Sequence, residues 1–159
     1  MIDGYKIRSA TSMDAGTIAQ HRRAMFADMG KRDVSRLDQM AAATRPWIER
    51  KITAGEYQGW LAVGPDGSIV AGLGLWLIEW QPTIADLSGR RGMILNVYTE
   101  LAHRRLGIAR LLMKSALDWC RENRINVVIL HASDEGRPLY AALGFKPTTE
   151  MRLILMGDQ

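Results

Sequence analysis

Six consecutive residues have the types expected of a phosphate-binding turn: Arg104-Arg105-Leu106-Gly107-Ile108-Ala109. They lie between a predicted strand and a predicted helix. A helix N-terminus exposes backbone N–H groups and the positive end of the helix dipole, so it can hold a phosphate without a dedicated side chain. Gly107 would let the backbone approach a ligand closely, and the arginines would add positive charge. Taken alone, the same six residues also fit a tight turn whose arginines are solvated by water and bind nothing.

A tyrosine farther along the chain could supply a proton. Tyr140 lies on a short predicted helix and is followed by Leu143-Gly144-Phe145, in which the glycine ends the helix. A phenol with an ordinary pKa of about 10 is protonated at neutral pH and can donate to a leaving group. The alternative is a buried tyrosine held by one hydrogen bond.

The elements that would position these residues alternate between strands and helices. Strands are predicted at Tyr5–Ser9, Trp60–Val63, Ile69–Trp80, Met93–Tyr98 and Val127–Leu130, with Phe145–Lys146 and Met151–Met156 as closing strand segments. Helices are predicted from Thr11 or Ser12 to Gly30, over Arg36–Thr44, from Pro46 towards Thr53, over Ile108–Asn123 and over Glu135–Leu143. The turn Gly64-Pro65-Asp66-Gly67 indicates an antiparallel hairpin, because proline presets φ and glycine tolerates positive φ. This order predicts one mixed α/β domain over residues 1–159.

Composition narrows the class of protein. The chain has 159 residues, 47% hydrophobic and 24% charged, which suits one globular domain with its own core. Its single cysteine, Cys120, excludes an intramolecular disulfide and a metal site built on several thiolates, and we expect no metal. We predict a cytoplasmic protein without a signal peptide or membrane span, because the longest apolar stretch is interrupted by Gly72, Gly74 and Glu79. A net charge of +4 with scattered arginines argues against nucleic-acid binding.

The two motifs together resemble the GCN5-related N-acetyltransferase (GNAT) family. Residues 104–109 look like its Arg/Gln-x-x-Gly-x-Gly/Ala loop, and Tyr140 with Leu143-Gly144-Phe145 looks like its Tyr-x-x-Leu-Gly-Phe signature. The resemblance is strongest over Met93–Met156. It implies a mostly antiparallel central sheet flanked by helices, and transfer of the acetyl group of acetyl-CoA to a primary amine by direct attack.

The resemblance also implies roles for individual residues. The loop of Arg104, Arg105, Leu106, Gly107, Ile108 and Ala109 would bind the CoA pyrophosphate. Backbone groups of Asn96, Val97 and Tyr98 would pair with the pantetheine amides in a gap between the Met93–Tyr98 and Val127–Leu130 strands. Tyr140 would be the general acid.

The general base is left open by the sequence. Relatives often carry a glutamate early in the central strand, where this chain has Met93, which cannot accept a proton. Glu79, Glu100, His103 and His131 are candidates, and a water chain or an amine that is already neutral would also suffice.

The missing acid at Met93 favours an alternative function, an acyl-CoA-binding or sensing module that is weak or inactive in catalysis.

The acceptor could be a small-molecule or peptide amine. Loops usually carry specificity, so we expect the acceptor pocket to be built by residues 29–38, 81–92 and 147–150. Four acidic residues are candidates for attracting a cationic amine: Asp28, Asp33, Asp38 and Asp86.

Five tryptophans are expected mainly in the core: Trp47, Trp60, Trp76, Trp80 and Trp119. The oligomeric state is open, a homodimer being the commonest assembly.

Overall fold

The computed structural model describes residues 2–156 and contains one five-stranded sheet. The strands are β1 (Lys6–Ser9), β2 (Tyr57–Val63), β3 (Ile69–Glu79), β4 (Arg90–Thr99) and β5 (Val128–Leu130). Their order in the sheet follows the sequence; β1 to β4 pair antiparallel and β5 pairs parallel to β4. The hairpin predicted around Gly64–Gly67 is confirmed, and it joins β2 to β3.

In the described part of the chain, four α-helices accompany the sheet: α1 (Ala15–Asp28), α2 (Val34–Thr53), α3 (Ile108–Glu122) and α4 (Arg137–Ala142). Thr11 caps a short 3-10 turn, Ser12–Asp14, that leads into α1, and the Asp14 carboxylate accepts from the Thr11 amide in return. This reciprocal pair is a capping box, which satisfies two amides that would otherwise lack acceptors. The predicted start of the first helix is therefore correct to within a few residues.

The helical break predicted at Pro46 is wrong. α2 runs without interruption from Val34 to Thr53 with Pro46 inside it. Proline removes one N–H donor, which leaves the carbonyl of Ala42 without its helical partner. Both residues lie on the exposed face of α2, so water can solvate that carbonyl.

The helices pack on opposite faces of the sheet, as the alternation of side chains along β2 requires. Trp60 and Ala62 belong to the core under α3, which includes Leu112 and Met113. Tyr57 and Leu61 belong to a second core under α1 and α2, which includes Ala15, Ile18 and Ile48. Helices from both layers, α1 and α3, contact β4.

The closing strand segments predicted at Phe145–Lys146 and Met151–Met156 are wrong. Neither is a strand, and the apolar side chains of Met151, Leu153 and Leu155 are 95%, 81% and 84% exposed. β-propensity expresses packing on a paired and half-buried surface, so an apolar run alone does not make a strand where no ladder forms. β5 consequently pairs with no strand other than β4 among residues 2–156.

Candidate active site

A gap opens beside the central strand β4. Its parallel pairing with β5 covers only Gly92–Val128, Met93–Ile129 and Ile94–Leu130, whereas β4 itself continues to Thr99. Residues 95–99 and residues 130–136 line the two sides of one cleft. The separation predicted between these strands is therefore present.

A β-bulge deforms β4 where the gap begins. Between the pairs Gly72–Tyr98 and Gly74–Leu95, two residues of β4 oppose one residue of β3. One of the two, Asn96, has a φ of 56°, a left-handed conformation that asparagine tolerates better than most residues. Bulges re-aim side chains. The Asn96 side chain is buried on the side of α1.

The turn before α3 presents a row of free backbone amides. Gly107 is the N-cap of α3 with a φ of 87°, and Arg105 also has a positive φ of 65°. The first amide to bond back into the helix is that of Leu111, which donates to the Gly107 carbonyl. Within the described chain, the amides of residues 105–110 donate to no protein acceptor. Such a row at a helix N-terminus is suited to an anion.

The three arginines of this turn have different surroundings. Arg104 donates to the Thr99 carbonyl and pairs with Asp28 at the end of α1, so it ties the turn to β4 and α1. The Asp28 carboxylate raises the pKa of Arg104. Arg105 and Arg110 are exposed and make no ion pair within residues 2–156. All residues of the predicted loop line the cleft except Leu106.

Tyr140 lines the same cleft from α4. Its ring packs edge-on against Phe145, and Gly136 lies directly beneath it, where a Cβ would come within 2.8 Å of the ring. The hydroxyl makes no hydrogen bond with any group of residues 2–156. Burial raises the pKa of Tyr140, so the phenol is protonated at neutral pH. The alternative of a tyrosine held by a structural hydrogen bond is thus not what the geometry shows.

The cleft has a volume of about 1610 Å³. A pocket for one drug-sized ligand measures roughly 300–1,000 Å³, so this cleft has room for two reactants. α1 and α2 line it on the side opposite α3, through Met25, Phe26, Met40, Ala43 and Trp47. Of the loops predicted to build the acceptor pocket, Met29 and Gly30 line this cleft, and the place of the acceptor stays a prediction.

The comparisons with known proteins agree with this geometry. The sequence model of the Acetyltransferase (GNAT) family matches residues 23–145. This chain belongs to the GNAT family. A GCN5-related N-acetyltransferase from Ralstonia eutropha JMP134 is 38% identical, with a TM-score of 0.90 over 97% of this chain and 100% of that one. The predicted family and fold class are confirmed.

Two further solved structures share this fold, and one of them contains acetyl-CoA. A predicted acetyltransferase with acetyl-CoA from Clostridium acetobutylicum is 26% identical, with a TM-score of 0.83 over 94% of this chain and 95% of that one. An aminoglycoside acetyltransferase from an uncultured soil metagenomic sample is 19% identical, with a TM-score of 0.69 over 96% of this chain and 99% of that one, and shows the fold alone. GNAT proteins are acyl-CoA-dependent acetyltransferases, and acetyl-CoA is the cosubstrate.

The residues of this acetyltransferase fit that cosubstrate. The free amides of residues 105–110 offer donors for phosphate oxygens, and the gap beyond Ile94 and Leu130 leaves one edge of β4 without a strand partner.

No helix within residues 2–156 is long and apolar enough to cross a membrane. The same residues contain no group of three or more side chains able to hold a metal ion.

The structure separates the four candidate bases into two pairs. Glu79 and Glu100 do not line the cleft, whereas His103 and His131 do. His103 Nδ1 lies 2.8 Å from the Tyr5 hydroxyl, and His131 Nε2 lies 2.7 Å from a Glu150 carboxylate oxygen. Met93 also lines the cleft, at the position where relatives often carry an acid.

A hydrogen-bonded cluster of Arg22, Asn96 and Tyr57 was not predicted from the sequence. The Arg22 guanidinium donates to Asn96 Oδ1 at 2.9 Å, and Asn96 Nδ2 donates to the buried Tyr57 hydroxyl at 3.1 Å. Gly74 makes this contact possible, because a Cβ there would stand 1.8 Å from the Tyr57 oxygen. Arg22 and Asn96 are 74 residues apart. No local spacing signals such a pair.

The five tryptophans divide between the two cores, the cleft and the surface. Trp47 and Trp76 line the cleft with their rings 5.2 Å apart, while Trp60 and Trp119 pack in the core under α3. Trp80 is 41% exposed, with the Arg91 guanidinium over its ring. The core prediction therefore holds for Trp60 and Trp119. It also holds for Trp47 and Trp76, which pack against the core under α1 and α2 and line the cleft as well, and it is wrong for Trp80.

Proposed function

We propose that this acetyltransferase moves the acetyl group of acetyl-CoA to a primary amine by direct attack, with Tyr140 as the general acid. The observation that carries the proposal is that Tyr140 lines the cleft, while its hydroxyl makes no hydrogen bond with any group of residues 2–156. A donor that is already committed to a protein acceptor would have to break that bond before it could protonate a leaving group.

Two regions support binding of the cosubstrate. The amides of residues 105–110 would hold the pyrophosphate, with Arg105 and Arg110 adding charge at an exposed site. The backbone of Asn96, Val97 and Tyr98 lies on the part of β4 that β5 leaves unpaired, which suits the amides of the pantetheine arm. Arg104 positions the turn through Asp28 and the Thr99 carbonyl.

The protein's part in the chemistry is to orient the reactants and to move a proton. Acetyl-CoA supplies an activated thioester. Tyr140 then donates its proton to the sulfur that leaves as the amine attacks, because a neutral thiol is a better product than an uncompensated thiolate in a partly buried cleft. The amine must be neutral when it attacks, and Met93 supplies no base for this step. As the amide forms, the nitrogen releases one proton to solvent, and this release balances the proton that Tyr140 gives to the sulfur.

Replacement of Tyr140 by phenylalanine tests the proposal. General acid catalysis is typically worth on the order of 10²–10⁴-fold, so Tyr140→Phe should lower kcat by about that factor. A thiol leaves more easily than an alcohol, and we expect the lower end of the range. Calorimetric affinity for acetyl-CoA should stay nearly constant, since the hydroxyl binds no protein group that holds the cleft together. Equal kcat values under conditions where chemistry limits the rate would refute the acid role.

The alternative function is an acyl-CoA-binding module without turnover, favoured by Met93. It shares the cosubstrate site and differs only in the absence of acetyl transfer. The cytoplasmic location and the homodimer also stay predictions.

A further inference from the structure

Arg22 is a partly buried cation without an anionic partner. Six other arginines pair with carboxylates: Arg8, Arg23, Arg45, Arg104, Arg121 and Arg152. Arg22 makes no ion pair within residues 2–156, and its one hydrogen-bond acceptor is the neutral amide of Asn96. Burial lowers the pKa of Arg22, whereas the carboxylates of Asp14 and Asp28 raise the pKa of Arg8 and Arg104. Charges taken out of water are normally paired, so an unpaired guanidinium facing a cleft indicates a missing anion.

The guanidinium keeps most of its donors for a ligand. Arginine has five N–H donors, and the bond to Asn96 Oδ1 uses one of them. The bond fixes the guanidinium at the β4 bulge, and the Phe26 ring, 5.0 Å from its central carbon, supports it from below. A planar carboxylate matches the remaining fork of donors in two parallel hydrogen bonds.

The wall around Arg22 is apolar. Five further side chains line this part of the cleft from α1, α2 and β3: Met25, Phe26, Met40, Trp47 and Trp76. The four acidic residues that could have attracted a cationic amine are already engaged: Asp28 with Arg104, Asp33 as the cap of α2, Asp38 with Arg23, and Asp86 with Ser88 and Asn126. On this wall, within residues 2–156, a polycationic acceptor would therefore meet a cation and no unpaired carboxylate. Asp134 and Glu135 line the cleft near α4, on the side of Tyr140.

Building on the proposed function, we propose that the acceptor is an amine that carries a carboxylate and an apolar side chain, in the manner of a free hydrophobic α-amino acid. Arg22 binds the carboxylate, and the methionines and aromatic rings of α1, α2 and β3 bind the side chain. The carboxylate and the amine must be close together, because Asn96 places Arg22 at the point where the gap beside β4 opens.

Matched acceptors with and without the carboxylate test this assignment. L-phenylalanine and phenethylamine differ only by that group, and spermidine serves as the polycation. We expect kcat/KM for L-phenylalanine to exceed that for phenethylamine by about 10- to 100-fold, the range for a hydrogen-bonded ion pair, and spermidine to be a poor acceptor. Arg22→Gln should remove the preference by lowering only the L-phenylalanine value. Arg23→Ala, which breaks the neighbouring pair with Asp38 outside the cleft, is the control and should keep the preference.

Three results would overturn the proposal. Phenethylamine could be as good an acceptor as L-phenylalanine, spermidine could be better than both, or Arg22→Gln could lower all acceptors equally. The last result would mean that Arg22 acts on the acetyl oxygen or on folding. Calorimetry with L-phenylalanine and with N-acetyl-L-phenylalanine, in the presence of CoA, gives a readout that does not need turnover. Binding of either ligand that Arg22→Gln abolishes, without acetyl transfer, would support the acceptor site and refute the proposed function; binding of neither would refute the acceptor site.

Discussion

Burial shifts the proton equilibria of individual side chains in directions set by their chemistry. It raises the pKa of Tyr140 and so preserves its proton, and it lowers the pKa of the His21 imidazole from 6.5 to about 4. His21 lies on α1 with its ring 5.2 Å from that of Tyr98, which lines the cleft. A neutral His21 therefore supports the wall of the site without adding charge to it.

The shift at His21 predicts a pH dependence of stability. Between pH 6.5 and 4 the unfolded chain protonates this histidine and the folded chain does not, so stability falls as pH falls through that window. From pH 7 to pH 4, the shift of His21 should cost about 3 kcal/mol of unfolding free energy. Glutamine does not titrate in this range. From pH 7 to pH 4, the His21→Gln variant should therefore lose less unfolding free energy than the wild type, and the difference should be about 3 kcal/mol. Urea unfolding of both proteins at pH 7 and pH 4 measures the difference, and parallel losses would show that His21 is not neutral in the fold.

The candidate bases predict distinct pH–rate profiles. An essential base gives an acidic limb to the profile, and its removal abolishes that limb. Since Glu79 and Glu100 lie outside the cleft, Glu79→Gln and Glu100→Gln should keep it. If one of the two histidines is the base, the acidic limb should disappear in His103→Gln or in His131→Gln. If the limb persists in both variants, it reflects the protonation equilibrium of the amine itself. Loss of the limb in either glutamate variant would contradict the placement of the cleft.

At the scale of elements, the N-terminus of α3 is the part that binds the cosubstrate in this account. Its free amides depend on backbone conformation and not on side chains, and that conformation requires a positive φ at Gly107. The nearest atom to a Cβ at this position would be Ile2 Cδ1 at 3.8 Å, so space is not the constraint. The positive φ is what restricts this position to glycine.

Gly107→Val should therefore weaken acetyl-CoA binding. A β-branched residue disfavours the left-handed conformation by roughly 1–2 kcal/mol and adds bulk where a phosphate must approach. We expect an affinity loss of more than about tenfold in a folded protein, measured by calorimetry. Gly55→Val is the matched control, because Gly55 has a φ of 73°, open space around it and no place in the cleft. Unchanged affinity in Gly107→Val, or equal losses in both variants, would contradict the assignment of the loop.

Local signals predicted much of this scaffold. The turn at Gly107, the helix α3 and the hairpin at Gly64–Gly67 each depend on neighbouring residues, so the sequence shows them. The pair of Arg22 with Asn96 joins α1 to a bulge in β4, and Pro46 inside α2 is tolerated only because its face is exposed. Both depend on tertiary packing. The apolar run at 151–156 has the pattern of a strand but forms no ladder, which no local pattern reveals.

At the scale of the whole molecule, the cleft brings together elements from both layers. α3 and α4 contribute the loop and Tyr140 from one side, and α1 and α2 contribute Arg22 and the apolar wall from the other. The pairing of β4 with β5 ends at Ile94 and Leu130, and the cleft between the two sides lies beyond that point. Acetyl transfer requires both sides to be occupied at once, whereas a sensing module needs only the first.

The most direct test is whether the wild-type protein transfers the acetyl group at all. Acetyl-CoA is incubated with the protein and a panel of amines, thiol release is followed over time, and the products are weighed by mass spectrometry. We expect thiol release that requires both protein and amine, with one acetyl group added to the amine nitrogen per CoA released. Tight acetyl-CoA binding with no amine-dependent thiol release across the panel would contradict it and would favour the sensing module.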